Sequence, residues 1–249
     1  MQTVTFPNIN AIANIGHAVF TRHGGCSREP YHSLNVSHGI GDRNKAVGQN
    51  RRRIARFLNA EVLAVAKQVH GINRLVLKKV PLSSEKPLYF AAGTGDALIT
   101  DIPGVYLVIQ TADCQPVMLV DPHKHVIANV HVGWRGNVQN ILGLTVKDMH
   151  ANFGCRPKDL QAAIGPSLGP CCAEFVNYRQ EFPKSMWPYQ DTQHRFDLWK
   201  LSSDQLLAAG VDETNLYVSR ICTKCRTDLF FSYRAEPATG RFASVIGLC

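Results

Sequence analysis

Residues 106–135, YLVIQTADCQPVMLVDPHKHVIANVHVGWR, contain three short apolar runs, Tyr106–Gln110, Pro116–Val120 and Val126–Val130, each bounded by turn residues. Runs of four to eight residues rich in Val, Ile and Leu, apolar at successive positions, read as strands buried on both faces. Chemistry-bearing residues stand where these strands end: Ala112-Asp113-Cys114 after the first, then His131 and Gly133-Trp134-Arg135-Gly136 after the last. A rigid sheet can aim side chains from such strand ends at one point. The plain alternative is a buried thiol and a hydrogen-bonded core histidine. Asp113, Trp134 and Arg135 concentrate more polarity at one sheet end than a core explains, which favours a site.

The chain of 249 residues is long enough for one large domain. No internal repeat or clean linker divides it, and motif-bearing loops are spread along its length, so one α/β domain is expected. Its start, MQTVTFPNINAIANIGHAVF, lacks a basic segment followed by an apolar one, and no run approaches the roughly 18 apolar residues of a membrane span. Eight cysteines without a secretion signal then predict reduced thiols and a cytoplasmic protein. The net charge of +8 leaves room for nucleic acid. The basic residues are scattered, however, and only Arg51-Arg52-Arg53 and Lys78-Lys79 cluster, without interleaved aromatics. Attraction for small anions such as phosphate is the simpler reading.

Outward from the central stretch, GHAVFTRHGG (16–25) reads as a strand running into a glycine turn. The polar loop after it, with His32, Ser33 and Asn35, is either a surface turn or the lining of a pocket. Val47, Ile54 and Leu58 repeat with helical period from about Asn44 to Leu58, and Arg51 shares their face. An arginine there either snorkels to solvent or meets a buried anion. VLAVAKQVH (62–70) is another apolar run ending in a histidine. Residues 80–95 read as a loop, and Asp96–Thr100 as a short strand. A helix is expected from Asn137 to Met149 with Asn137 as N-cap. Its N-terminus, with Arg135 just before it, would suit a phosphate. Residues 181–197 suggest a lid or connecting loop, followed by a helix at 198–209 and strands near 216–221 and 243–248.

His70, Cys114 and His131 are too far apart in sequence for a zinc finger. Three nitrogen and sulfur ligands from separate strand ends, leaving a fourth position open, form the pattern of a catalytic zinc site, and about one zinc per chain is expected. Cys222-Thr-Lys-Cys225 is a single C-x-x-C. A four-cysteine site would need Cys171 and Cys172 or others nearby, so the pair is read as free thiols, as is the vicinal Cys171-Cys172.

Taken together, TRHGG (21–25), PYHSLN (30–35), NRRR (50–53), QVHG (68–71), TADCQPV (111–117), HVGWRG (131–136), IGPSLGPCC (164–172) and CT, FFSYR and TGR within 222–241 resemble the YfiH or DUF152 family. The family also goes by laccase-like polyphenol oxidases and by purine nucleoside phosphorylases related to a human laccase-domain protein. The resemblance implies one YfiH-like domain over residues 1–249, with mixed β-sheets packed by helices and a fold related to the deamidating-toxin cysteine hydrolases. It implies zinc on His70, Cys114 and His131. It also implies phosphorolysis of adenosine, inosine and methylthioadenosine with phosphate, together with adenosine deamination, and an older assignment is copper-dependent phenol oxidation. In this frame Asp113 is the candidate proton-shuttling carboxylate, Arg51 and Arg135 the phosphate ligands, and Asn35, Ser33 and His32 the ribose contacts. Nucleosides and phosphate are then the partners, nucleic acid and membrane are not, and the chain is expected as a monomer or weak homodimer. Val132 replaces the family's usual Ala, Ser167 a Cys, Ala173 a Tyr, and Ala235-Glu236 an Arg-Asp pair, which removes a cation near the site. Rival readings are a copper oxidase, a hydrolase with Cys114 as nucleophile and His131 as base, and a metal-binding scaffold without catalysis.

Overall fold

The computed structural model describes residues 1–81 and 88–249. Its strands are β1 (Thr3–Val4), β2 (Ile15–Phe20), β3 (Val62–Lys67), β4 (Arg74–Leu77), β5 (Leu88–Thr94), β6 (Ala97–Thr100), β7 (Val105–Thr111), β8 (Gln115–Asp121), β9 (Val126–Val132), β10 (Gln161–Ile164), β11 (Leu216–Val218) and β12 (Phe242–Leu248). Its helices are α1 (Pro7–Asn10), α2 (Asn44–Leu58), α3 (Trp134–Val138), α4 (Ile141–Phe153), α5 (Tyr178–Glu181) and α6 (Leu198–Ala208). Two six-stranded mixed sheets result, ordered β1-β2-β12-β7-β3-β5 and β11-β10-β8-β9-β6-β4.

Alternation along each central strand explains the layering. On β8, Met118 and Val120 point between the sheets, while Val117 and Leu119 point outward under α4 and α6. On β7, Leu107 faces inward while Tyr106 and Val108 face α2 on the other side of the molecule. Both faces of these strands are therefore buried, with only Gln110 among the positions of β7, β8 and β9 partly exposed, and the sequence runs largely apolar without a polar face. Each fully buried Val, Leu, Ile or Phe contributes about 1.5–3 kcal/mol, and a one-residue slip would exchange two cores at once. Asn129, fully buried on β9, ties the sheets together by donating to the carbonyls of Leu107 (3.0 Å) and Ser244 (2.9 Å).

The three apolar runs do form strands, but they are not three neighbours. β7 belongs to the first sheet, whereas β8 and β9 form a hairpin in the second. Residues 112–114 carry the chain from one sheet to the other, which places Cys114 where both sheets end.

The helix over 44–58 is as expected, closed by Asn59 in the left-handed region (φ 51°). Three expectations need correction. The helix from Asn137 is broken in two, because Asn140 (φ 55°) stops α3 and caps α4 by accepting from the Gly143 N–H. Asn137 is no cap: its buried amide donates to Ser202 Oγ (2.8 Å) and Gln205 Oε1. The segment 80–95 is not all loop, since Leu88–Thr94 adds an edge strand parallel to β3. Its register shifts beside Gly93 (φ 121°), a bulge that hides the strand's period; residues 82–87 lie outside the described residues. The segment 181–197 packs as a small aromatic core, with Phe182 stacked on Phe196 at 4.2 Å, rather than standing free as a lid.

Candidate metal and substrate site

His70, Cys114 and His131 come together at the common end of the two sheets, their ligand atoms all within 4.8 Å of one another. Cys114 arrives on the crossover between sheets, His131 on β9, and His70 on the turn after β3 with φ 57°. The two imidazoles meet edge-on, centroids 4.8 Å apart. Gly133 lets them close: a Cβ there would stand 3.1 Å from His70 Cδ2 and 3.3 Å from Cys114 Sγ.

Behind this trio sits Asp96, fully buried at the start of β6. Its Oδ1 accepts from His131 Nδ1 (2.8 Å) and the His70 N–H (2.9 Å), and its Oδ2 accepts from the Gly71 N–H (2.8 Å). One carboxylate thus shapes the 69–71 turn and turns the Nε2 of His131 toward Cys114. Burial opposes ionisation of Asp96, yet His131 and the backbone donors outweigh it and hold the carboxyl below its ordinary range. Burial alone would push the Cys114 thiol up and the His131 imidazole down. Their mutual attraction, with His70 beside the sulfur and Asp96 behind the ring, reverses both: the thiol falls to about 6 and the imidazole rises to about 9.

The donor set fits a metal. A tetrahedral zinc bound at about 2.0–2.3 Å places its nitrogen and sulfur ligands roughly 3.5 Å apart, within reach of small side-chain rotations here. The carboxylate behind the His131 Nδ1 is the outer partner that metal-ligating histidines ordinarily have.

The trio opens into a cleft of about 1150 Å³, somewhat above the range of roughly 300–1,000 Å³ for small-molecule pockets. Tyr89, Phe90, Trp134, Phe175 and Tyr233 supply flat apolar walls. Arg51, Lys67, Arg135, Arg234 and Arg241 face Asp113, Glu174 and Glu181, so cations outnumber acids. Arg51 is half-buried, its Nε donating to the Val36 carbonyl (2.8 Å), and burial pulls its guanidinium down against Tyr89. Arg135 is exposed and stacks on the Trp134 ring at 4.3 Å.

Other sequence candidates have different occupations. Asp113 lines the cleft, but Thr223 Oγ1 and Ser232 Oγ donate to its Oδ1 (both 2.7 Å) and the Arg234 N–H to its Oδ2 (2.6 Å). It anchors the cleft wall. Asn35, Ser33 and His32 are not among the residues lining the cleft. Asn35 is fully buried, accepting from the Arg241 and Ser37 N–H groups. Ser33 bonds the Gly25 N–H and the Arg22 carbonyl. His32 is exposed and offers its carbonyl to Arg22. Buried Asn50 of α2 binds this loop through the carbonyls of Ser33 and Asn35, and the loop reaches the cleft only further on, at Ser37 and His38.

Many of the residues lining the cleft have no role in the sequence reading, and two charged residues that it passed over act on the Cys114–His131 pair. Asp96 carried a signal, an acid opening an otherwise apolar strand with no turn to serve. Arg241, just before β12, lines the cleft; burial lowers its guanidinium while Cys114 and Asp113 support its charge. Within the sequence it was one residue of a motif with no role attached.

A family model described as multi-copper polyphenol oxidoreductase laccase matches residues 16–249. A relative named purine nucleoside phosphorylase YlmD, from Geobacillus stearothermophilus, is 36% identical over 240 residues, covering 91% of this chain and 88% of the relative. The purine nucleoside phosphorylase YfiH of Escherichia coli K12 is 31% identical over 236 residues, covering 92% and 91%. The crystal structure of YlmD from Geobacillus stearothermophilus superposes with a TM-score of 0.86 at 35% identity, covering 98% of this chain and 94% of that one.

Proposed function

Since this chain belongs to the multi-copper polyphenol oxidoreductase laccase family, the YfiH family, whose relatives are named purine nucleoside phosphorylases, we propose that it is a zinc-dependent purine nucleoside phosphorylase that also deaminates adenosine. Its substrates are adenosine, inosine and methylthioadenosine with phosphate, and its products the base and the sugar 1-phosphate. The observation carrying this reading is the aromatic, cation-rich cleft with a two-histidine, one-cysteine donor set at its floor.

His70, Cys114 and His131 would hold the zinc, which supplies Lewis acidity toward water or a substrate atom when bound. The side chains account for the rest. Tyr89, Phe90 and Phe175 sandwich the purine, excluding water from its faces. Arg51 and Arg135 hold phosphate, joined by Arg241 beside Cys114. Ser37 and His38, rather than Asn35, Ser33 and His32, face the ribose. Asp113 is a positioning residue, since three donors already occupy its oxygens. Glu174 and Glu181 are the other cleft carboxylates and the ones left for moving protons at the purine.

Copper is the competing metal, because two histidines and a cysteine also bind it in mononuclear sites. Those electron-transfer sites ordinarily add a weak axial Met or similar ligand, and no Met is among the described residues lining the cleft. Cys114, His131 and Asp96 also align as a nucleophile, a base and an orienting carboxylate, which is the hydrolase alternative. Incubating purified protein with adenosine and phosphate, then separating the products, tests the proposal. Adenine with ribose 1-phosphate, and some inosine without phosphate, are expected. Oxygen uptake with a phenol and no nucleoside turnover would overturn it. For the hydrolase alternative, alkylation decides: zinc should protect Cys114 and chelation expose it, whereas a nucleophile reacts equally in both states.

A further inference from the structure

Cys171, Cys172, Cys222 and Cys225 take no part in the chemistry above, and the sequence suggested only unrelated free thiols. The fold instead gathers all four. Their sulfurs lie within 4.8 Å of one another, with Cys225 Sγ 3.5 Å from both Cys171 Sγ and Cys172 Sγ. Disulfide sulfurs stand about 2.05 Å apart, whereas four thiolates on one zinc at about 2.3 Å form a tetrahedron with edges of roughly 3.8 Å. The observed separations match the second arrangement. We propose that these four cysteines hold a second zinc ion, structural in role, that fastens one wall of the substrate cleft.

Local structure shows how the group is assembled. A turn closed by the Cys172 N–H on the Gly169 carbonyl (2.9 Å) presents the adjacent cysteines 171 and 172. The Cys222–Cys225 turn is closed by the Arg226 N–H on the Cys222 carbonyl (3.0 Å). The two turns are held side by side by Ser167 N–H to the Ile221 carbonyl (3.1 Å) and Thr223 N–H to the Ser167 carbonyl (3.0 Å). Gly169 sits at the junction, donating its N–H to Cys222 Sγ (3.3 Å), and a Cβ there would meet Trp199 Cη2 at 2.7 Å and Cys222 Cβ at 3.0 Å. Only glycine lets the loops approach so closely.

An all-thiolate set leaves no open position, which marks a structural rather than catalytic ion, and soft thiolates select zinc over hard cations. Binding releases the thiol protons and leaves an anionic cluster. Arg234, donating to the carbonyls of Glu174 (2.7 Å) and Cys172 (3.4 Å), puts a cation beside it. The two loops also supply Glu174 and Phe175, and Tyr233 and Arg234, to the lining of the cleft, where the Arg234 guanidinium lies over the Phe175 ring at 5.4 Å. Thr223, within the C-x-x-C, donates to Asp113, the neighbour of Cys114. The ion therefore adds a bond between segments that hydrogen bonds already hold side by side.

Metal analysis of the full chain, purified under reducing conditions without chelator, tests this independently of the activity proposed above. The wild type should hold twice the zinc of either Cys171→Ser/Cys225→Ser or His70→Ala, each of which keeps the other ion. Equal zinc in the wild type and the double-cysteine variant would overturn the proposal. So would an intact mass under non-denaturing, reducing purification showing a disulfide among these cysteines. Should the cysteine variant fail to fold, cobalt titration of metal-free wild type replaces it. A second equivalent with sulfur-to-cobalt charge-transfer absorption of four-thiolate intensity supports the site, and a single equivalent with one-thiolate intensity sinks it.

Discussion

Replacing Asp96 by Asn is the most informative single change at the proposed zinc centre, because one carboxylate supports both histidines. Its Oδ1 serves His131 Nδ1 and the His70 N–H, and its Oδ2 serves the Gly71 N–H. An asparagine must turn its NH2 toward one of these groups. The cheaper orientation keeps the carbonyl on His131 and His70 and sets the amide nitrogen against the Gly71 N–H, donor against donor. One charge-assisted bond is lost and a buried donor stranded, for a destabilisation of about 2–4 kcal/mol. With the negative charge gone, His131 loses part of what holds its imidazole near 9, and Cys114 part of what holds its thiol near 6. Zinc affinity should drop about 10–100-fold, as for other outer-sphere partners of ligating histidines. Urea denaturation of the metal-free protein measures the first effect, chelator competition the second. The pH midpoint of Cys114 alkylation in metal-free protein should move up from about 6. An Asp96→Asn protein with wild-type stability, zinc affinity and alkylation midpoint would refute this account of the site.

Arg135→Ala should raise the phosphate KM several-fold while leaving deamination without phosphate largely intact; equal loss of both would make Arg135 a structural residue, its ring-stacking on Trp134 being the part that mattered. Gly133→Ala should lower bound zinc, because its new Cβ enters the space between His70 and Cys114, and full zinc occupancy in that variant would show that the histidine turn yields easily. His17, buried, accepts the Phe6 N–H at its Nε2, and burial lowers its imidazole to about 4. The unfolded chain binds that proton near 6.5 and the folded one does not, so His17's share of stability is whole above 6.5 and lost as pH falls toward 4, about 3 kcal/mol in all. Urea midpoints of wild type and His17→Gln across pH 4–7 check it: the slope should be shallower in the variant, and parallel curves would contradict it.

Layered burial is legible in a sequence because each strand carries its own record of what covers it. β7, β8 and β9 are predominantly apolar on both faces since each lies between two cores, and Arg51 could be placed on the inner face of α2 from helical period alone. Partnership between strands is not recorded that way. Nothing local in residues 106–135 says that β7 pairs with β12 and β3 in one sheet while β8 pairs with β9 in another. The polar loop at His32, Ser33 and Asn35 was misleading for a related reason. The Asn35 side chain accepts from the Arg241 and Ser37 N–H groups and the Ser33 hydroxyl bonds the Gly25 N–H and the Arg22 carbonyl, and a polar side chain serving the interior is written with the same letters as one serving a ligand.

Distance in sequence also decided what stayed hidden around Cys114. Asp96 acts mainly through the backbone N–H groups of residues 69–71, and backbone groups leave no mark on composition. Asp113 looked like a free carboxylate because the hydroxyls of Thr223 and Ser232, which occupy it, come more than a hundred residues later. The four cysteines repeat the case: a vicinal pair and a lone C-x-x-C each have an ordinary explanation as thiols, and only the pairing of Ser167 with Cys222 brings them within ligand distance. The two features share a cause. The loop that passes through Thr223 supplies a cysteine pair to one cluster and a hydroxyl to the residue next to Cys114 in the other, so the Asp113 carboxylate is the mechanical link between them. Removing the Thr223 donor by Thr223→Val should therefore disturb Cys114 without touching any sulfur, and its alkylation rate in metal-free protein should rise as the crossover loosens. An unchanged rate would mean that Ser232 and the Arg234 N–H hold the crossover alone, and that the cysteine cluster shapes the cleft wall without reaching the metal centre.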